Sequence, residues 1–201
     1  MHSAQALLAG GVERLCLIFP SEDAEHIRVQ LRDLTWGEQA VVVAGGDTRH
    51  ASVQAGVRWI LGHAEVPLEN LYIAIHDAAR PFVLPEDVAR VVDAAVETGA
   101  ALLGQACADT VKRIEQGRVI ATVPRTELFI AQTPQVFSAT FLKKAYMDQT
   151  VPFTPTDDAS VMEWLGVTVK IVYSTGFNGK ITTSADMDVA SILAERRWGR
   201  S

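Results

Sequence analysis

The chain has 201 residues, 48% of them hydrophobic and 21% charged, which suits one large α/β domain with a sizeable core and excludes a disordered chain. A formal net charge of -6 without any basic run argues against nucleic acid as the main partner, but leaves room for a phosphate-bearing small molecule met by local cations. No apolar segment is long enough to span a bilayer, the N-terminus lacks a basic signal region, and Cys16 and Cys107 lie in apolar runs without forming a close pair, so a reduced, cytoplasmic protein is expected.

In chain order, a short first helix (Ala4, Leu7 and Leu8 on one face) leads into a strand at Arg14–Phe19. A helix at Ser21–Leu34, a strand at Ala40–Val43 and a helix at His50–Leu61 follow. Most of the run Leu71–His76 is apolar, as in a strand covered on both faces. Pro85 suits the first turn of a helix over Pro85–Thr98, with Glu86 and Asp87 at its positive end. After a strand at Ala100–Cys107, two short alternations about EQGR predict a β-hairpin across 110–125. Helices at Ser138–Met147 and Asp157–Leu165 follow, the second capped by Thr156 and closed by Gly166. A strand at Thr168–Tyr173 and a helix at Ser184–Arg197 end the chain. Strands alternating with helices imply a mostly parallel Rossmann-like sheet with helices on both faces, whose ligands gather at the carboxyl ends of the strands. The hairpin either packs on its own chain or projects as an arm onto a neighbouring subunit.

Five stretches could carry chemistry. In VVVAGGDTRHASVQAGV, Gly45 and Gly46 let a ligand approach bare backbone, and Asp47, Arg49 and Ser52 supply polar contacts; as an isolated turn it is also ordinary structure. In HDAARPF, Asp77 could hold Mg²⁺ on a polyphosphate and Arg80 could grip a phosphate. The alternative is a local Asp77–Arg80 ion pair, with His76 merely packed at the strand end. In RTELFIAQTPQVF, Thr133 offers a hydroxyl on a stiff turn. Asp157 and Asp158 read as partners of a helix dipole rather than as an acid–base pair. In FNGKITTSADM, Lys180 projects from a turn, and Thr182, Thr183 or Ser184 caps the last helix.

Together and in this order, GGDTRHASVQAG, HDAARPF, DTVKR, PRTELFIAQTPQVF, TDDASVMEWLG and NGKITTSADM resemble the 2-C-methyl-D-erythritol 4-phosphate cytidylyltransferase family. A sister branch, the ribitol-5-phosphate cytidylyltransferases, shares the plan and differs mainly at the alanines of HDAARP and the lysine turn. The resemblance implies a Mg²⁺-dependent homodimer that joins CTP to a sugar phosphate and releases pyrophosphate. It implies that Gly46, Asp47 and Ser52 contact the cytidine moiety and that Asp77 holds the metal. Arg80, Thr133, Thr156 and Lys180 would surround the sugar phosphate, with Asp77, Arg80 and Lys180 carrying the catalysis. Thr110 and Arg125, on the dimerisation arm, would reach the neighbour's site. The family also begins with a strand and a glycine-rich loop bearing cations that precede the first residue here, so an N-terminally incomplete domain with reduced or no activity is expected. The rival of another class is a non-catalytic paralogue that keeps the sugar-phosphate pocket.

Overall fold

The computed structural model describes residues 1–199. Helix α1 (His2–Ala9) buries Ala4, Ala6 and Leu7 and passes into strand β1 (Leu15–Phe19). Helix α2 (Ala24–Leu31) is the crossover to β2 (Ala40–Ala44), which pairs with β1 in parallel from Leu15↔Ala40 to Phe19↔Ala44. Helix α3 (Arg49–Gly62) returns over this pair, and Gly56 makes room for Ile18, which a Cβ would meet at 2.6 Å. Strand β3 (Tyr72–Ile75), helix α4 (Pro85–Thr98) and strand β4 (Ala100–Ala106) follow. Pro85 occupies the first turn of α4 and Gly99 ends it at φ 85°, as proline and glycine asymmetry requires.

The hairpin forms as expected, with β5 (Val111–Glu115) antiparallel to β6 (Arg118–Val123) about Gln116 and Gly117. Both turn residues have positive φ (48° and 75°), the conformation that a tight two-residue hairpin demands. Among the described residues these two strands pair only with each other, and Ile114, Val119 and Ile120 stand exposed.

Strand β7 (Phe129–Ser138) is the element that periodicity did not disclose. It lies between β3 and β4, antiparallel to both, and β8 (Lys170–Tyr173) completes the order β3-β7-β4-β8. The stretch read as a turn at Thr133 is therefore a bulge inside a central strand. Leu102 pairs with Gln135 and Gly104 with Ala131, leaving β7 with extra residues around a cis Thr133–Pro134 bond. Pro134 has no N–H to give, and a bulge is where a central strand needs none. Three strands of this sheet run one way and β7 runs against them, while β1 and β2 form a separate ladder.

Helix α5 (Ala139–Lys143) widens into a π turn at Lys144–Asp148, and α6 (Asp158–Trp164) and α7 (Ser184–Trp198) complete the chain. Alternate residues of β4 feed two apolar clusters. Ala101 and Leu103 join α1, α2, α4, Leu15 and Val42 on one face, and Ala100 and Leu102 join Val53, Val57, Leu142 and Met162 on the other. The first cluster spans both ladders, so one apolar layer ties them together. No helix among the described residues is long and apolar enough to cross a membrane.

Candidate active site

Loops leaving the carboxyl ends of β2, β3 and β8 meet at Asp77. The Arg49 Nε lies 3.2 Å from its Oδ1, and Lys180 Nζ and Arg80 Nε lie 3.1 and 3.6 Å from its Oδ2. Burial by itself would push the Asp77 carboxyl up, but the Lys180 bond and the Arg49 charge outweigh it and hold the group below the ordinary carboxylate value. Asp77 is therefore an anion with three cations around it. The side chains of Arg49 and Lys180 stay 38% and 42% exposed, so both can reach a ligand.

Arg80 is more confined, 13% exposed, and its Nη1 donates to the Asn178 carbonyl at 2.9 Å. Its Nε is buried with no hydrogen-bond partner, though it faces Asp77. The local ion pair that the sequence allowed for HDAAR is present. The turn closes through the Arg80 N–H to the Asp77 carbonyl at 2.9 Å, and the two side chains also form a long ion pair.

His76 is a working part of this turn, not only a packed ring. Its Nε2 lies 3.1 Å from the Arg80 carbonyl, which can only accept, so Nε2 carries the proton. Nδ1 then accepts from the Thr133 hydroxyl at 3.1 Å, and the same hydroxyl accepts the Asp77 N–H at 3.0 Å. A side chain on the β7 bulge so replaces the ladder bond that β3 loses as it leaves the sheet. Burial pushes the His76 pKa down to about 4, which keeps the ring neutral.

The lysine loop is anchored from two directions. Asn178, 2% exposed, donates to the Gln132 side chain and to the Thr133 carbonyl, tying the loop to β7. The Ile181 N–H donates to the Ala79 carbonyl, tying it to the Asp77 turn. Further back, buried Asp87 accepts from Ser174 Oγ, the Thr175 N–H and hydroxyl, and Arg90. The acid placed by sequence at a helix dipole is in fact the clamp between α4 and the end of β8.

On the β2 side, the Gly46 N–H donates to Ser52 Oγ, and the same hydroxyl donates to the Gly46 carbonyl. A Cβ at Gly46 would sit 2.6 Å from the Ala51 methyl, so the turn closes onto α3 only with glycine there. Thr48 caps α3 and Asp47 lies exposed beside it.

Other expectations change. Asp157, not Thr156, caps α6 by accepting the Ser160 N–H at 3.0 Å, because it is the residue directly before the first helical position; Thr156 is exposed one residue earlier. Asp158 sits in the first turn of α6, as expected, but it is also buried. It is 1% exposed and bonded to Arg49 Nη2 at 2.8 Å and to the Tyr146 hydroxyl. Thr110 and Arg125 are exposed at the base of the hairpin, where Arg125 Nη1 holds the Ala108 carbonyl; within one chain they make no bond to the Asp77 group. Sequence reasoning also passed over Gln132 and Gln135. Glutamines flanking a proline inside an apolar run were the available signal, because such groups are buried only when bonded.

A wide concavity of about 620 Å³, lined by Thr98, Lys143 and Lys144 among others, lies at the amino ends of β4 and β8 and shares no residue with this cluster. The cluster, not the concavity, lies at the carboxyl ends of the strands, where ligands of open α/β sheets gather. A strand-end carboxylate ringed by cations, beside a glycine turn, belongs to the α/β enzymes that handle phosphorylated nucleotides.

Comparison with known proteins narrows that class. The family model for 2-C-methyl-D-erythritol 4-phosphate cytidylyltransferase matches residues 1–196, and the chain belongs to that family. It is 41% identical over 157 residues to the enzyme of that name from Halalkalibacterium halodurans, an alignment spanning 77% of this chain and 66% of the relative. It is 35% identical to the one from Solibacter usitatus over all of this chain and 82% of the relative. Among solved structures, a 4-diphosphocytidyl-2C-methyl-D-erythritol synthase superposes with a TM-score of 0.80 at 32% identity, covering 96% of this chain and 86% of the other. The cytidylyltransferase from Thermus thermophilus superposes at 0.75 with 30% identity, covering 96% and 88%.

Proposed function

We infer that the protein transfers a cytidylyl group from CTP to 2-C-methyl-D-erythritol 4-phosphate, releasing pyrophosphate. The observation that carries this is the Asp77 cluster, with Arg49, Arg80 and Lys180 gathered on one carboxylate in a chain of this family. A phosphate oxygen of the sugar attacks the α-phosphorus of CTP in line. The bond from that phosphorus to the bridging oxygen breaks, and its electron pair leaves with pyrophosphate. No protein nucleophile is needed. Two anions must be brought together, so catalysis is positioning plus cations aimed at the phosphates. Arg80 and Lys180 serve that purpose, with Thr133 and Thr156 completing the sugar-phosphate side. Gly46, Asp47 and Ser52 form the nucleotide side, where bare backbone admits the cytidine.

The donor set fits a Mg²⁺ ion held on a nucleotide. Among the described residues no group of three or more His, Cys, Asp or Glu makes a protein cage. Mg²⁺ is commonly held by one or two carboxylates plus substrate phosphates, and Asp77 is an ionised carboxylate at the correct end of the sheet. When bound, the ion supplies charge neutralisation on the leaving pyrophosphate. The hairpin's exposed Ile114, Val119 and Ile120 suit an arm that packs on a second copy and carries Thr110 and Arg125 to its site.

Pyrophosphate release by the purified gene product tests the reading. Release should require both CTP and 2-C-methyl-D-erythritol 4-phosphate, and ribitol 5-phosphate should be a poor replacement. Equal turnover of ribitol 5-phosphate, or release that needs no sugar phosphate, would overturn it.

A further inference from the structure

Asp158 is buried too deeply to meet a substrate, yet it is a charged group beside the site. It is fixed from several sides. Its N–H and that of Ala159 donate to Gln135 Oε1, whose amide nitrogen in turn donates to Asp157, and the Tyr146 hydroxyl donates to Asp158 Oδ1. The other carboxylate oxygen accepts Arg49 Nη2, which is its ion-pair partner among the described residues. A buried carboxylate needs a counter-charge, so Arg49 is held on one edge by the interior of the protein. Its Nε meets Asp77 at 3.2 Å, while its Nη1 makes no bond among the described residues. Asp158 and Asp77 together outweigh burial and hold the guanidinium above its ordinary pKa. Arg49 lies three residues beyond Gly46, as the first residue of α3, and is partly exposed.

We propose that Arg49 is a binding residue for the triphosphate of CTP and that Asp158 is its positioning residue. The proposal rests on the cytidylyl-transfer reading. A planar fork with one edge fixed loses less freedom on gripping a phosphate than a free arginine does. Asp158 pre-orders it, and the triphosphate takes over the edge that Asp77 holds in the free protein. The neighbouring carboxylate and the buried one have separate duties: one is exchanged for ligand and the other never lets go.

The test is a set of four proteins: wild type, Asp158→Asn, Arg49→Ala and the double variant. Each is titrated with CTP in the presence of Mg²⁺ by calorimetry. Asp158→Asn keeps the shape and removes the charge, and should weaken CTP binding about tenfold, the cost of one side chain no longer pre-ordered. The double variant should bind no more weakly than Arg49→Ala alone. Tyr146→Phe removes a hydrogen bond from the same carboxylate without touching Arg49, and should leave CTP binding within about twofold. Unchanged affinity in Asp158→Asn, full additivity in the double variant, or an equal loss in Tyr146→Phe would overturn the proposal.

A readout without ligand separates this from the reaction itself. The Arg49 Nε–H signal in ¹H–¹⁵N spectra should be sharp in wild type and Tyr146→Phe, and broadened or shifted in Asp158→Asn. A signal indifferent to Asp158→Asn would overturn the positioning role even in a protein with full activity. Pyrophosphate release as fast with ribitol 5-phosphate as with 2-C-methyl-D-erythritol 4-phosphate would overturn the reaction and leave the positioning role standing.

Discussion

His76 shows how much one residue of the site depends on its protonation state. Its ring bridges the Arg80 carbonyl and the Thr133 hydroxyl, and burial lowers its pKa from 6.5 to about 4. In the unfolded chain the ring takes up a proton below about pH 6.5, whereas the folded protein resists it until about pH 4. The unfolded state therefore binds more protons in that window, and folding stability falls as the pH drops through it. The loss is at most about 3 kcal/mol from this group. Urea unfolding across that range should show the slope in wild type and a flatter one in His76→Gln. Equal slopes would mean that other groups carry the acid sensitivity. Asp77 adds a loss of the same sign at lower pH, because its folded pKa is depressed.

At the scale of elements, the lysine loop is placed by α4 and β7 rather than by its own sequence. Asp87 reaches from the first turn of α4 to Ser174 and Thr175, and Asn178 reaches β7. Replacing Asp87 with Ala removes the buried acceptor shared by half-buried Ser174, exposed Thr175 and Arg90, at a cost of about 2 kcal/mol. The urea midpoint should shift accordingly, and Lys180 should lose its hold on Asp77. A shift worth less than about 1 kcal/mol would mean that the clamp is redundant. Helix α7 needs no such help at its start. Thr183 and Asp186 form a capping box, and the Thr182 and Thr183 amides and hydroxyls lower the Asp186 carboxyl to about 2.

For the molecule as a whole, the hairpin is the part that a single chain does not explain. Its strands pair only with each other among the described residues, and a two-stranded ribbon with exposed isoleucines and valine gains little from folding alone. The proposed arm, docked on a second copy, would account for both. Replacing Ile114 and Val119 with Ser should turn a dimer into a monomer in sedimentation velocity, while leaving the thermal midpoint of the isolated chain within a few degrees. A dimer that survives the change would place the interface elsewhere.

Much of this protein is written in local pattern. Pro85 and Gly99 mark the ends of α4, Gln116 and Gly117 sit in the expected turn, and the apolar runs of β1, β2, β3, β4 and β8 are strands within one or two residues at most ends. The motif residues Asp77, Arg80, Thr133 and Lys180 could be named together from sequence because their motifs resemble those of the family, and folding brings all four together. What lay beyond the sequence were facts about pairs distant in the chain. β7 is a strand although a proline interrupts it, because its partners β3 and β4 supply the ladder on both sides and a bulge absorbs the Thr133–Pro134 step. Asp158 and Arg49 are 109 residues apart, and a helix-start acid becomes a buried counter-charge only when the first turns of α3 and α6 meet. Sequence by itself determined which groups could do the chemistry, since that is a property of side chains. Tertiary structure alone decided which of them are buried, and burial is what makes a charge need its partner.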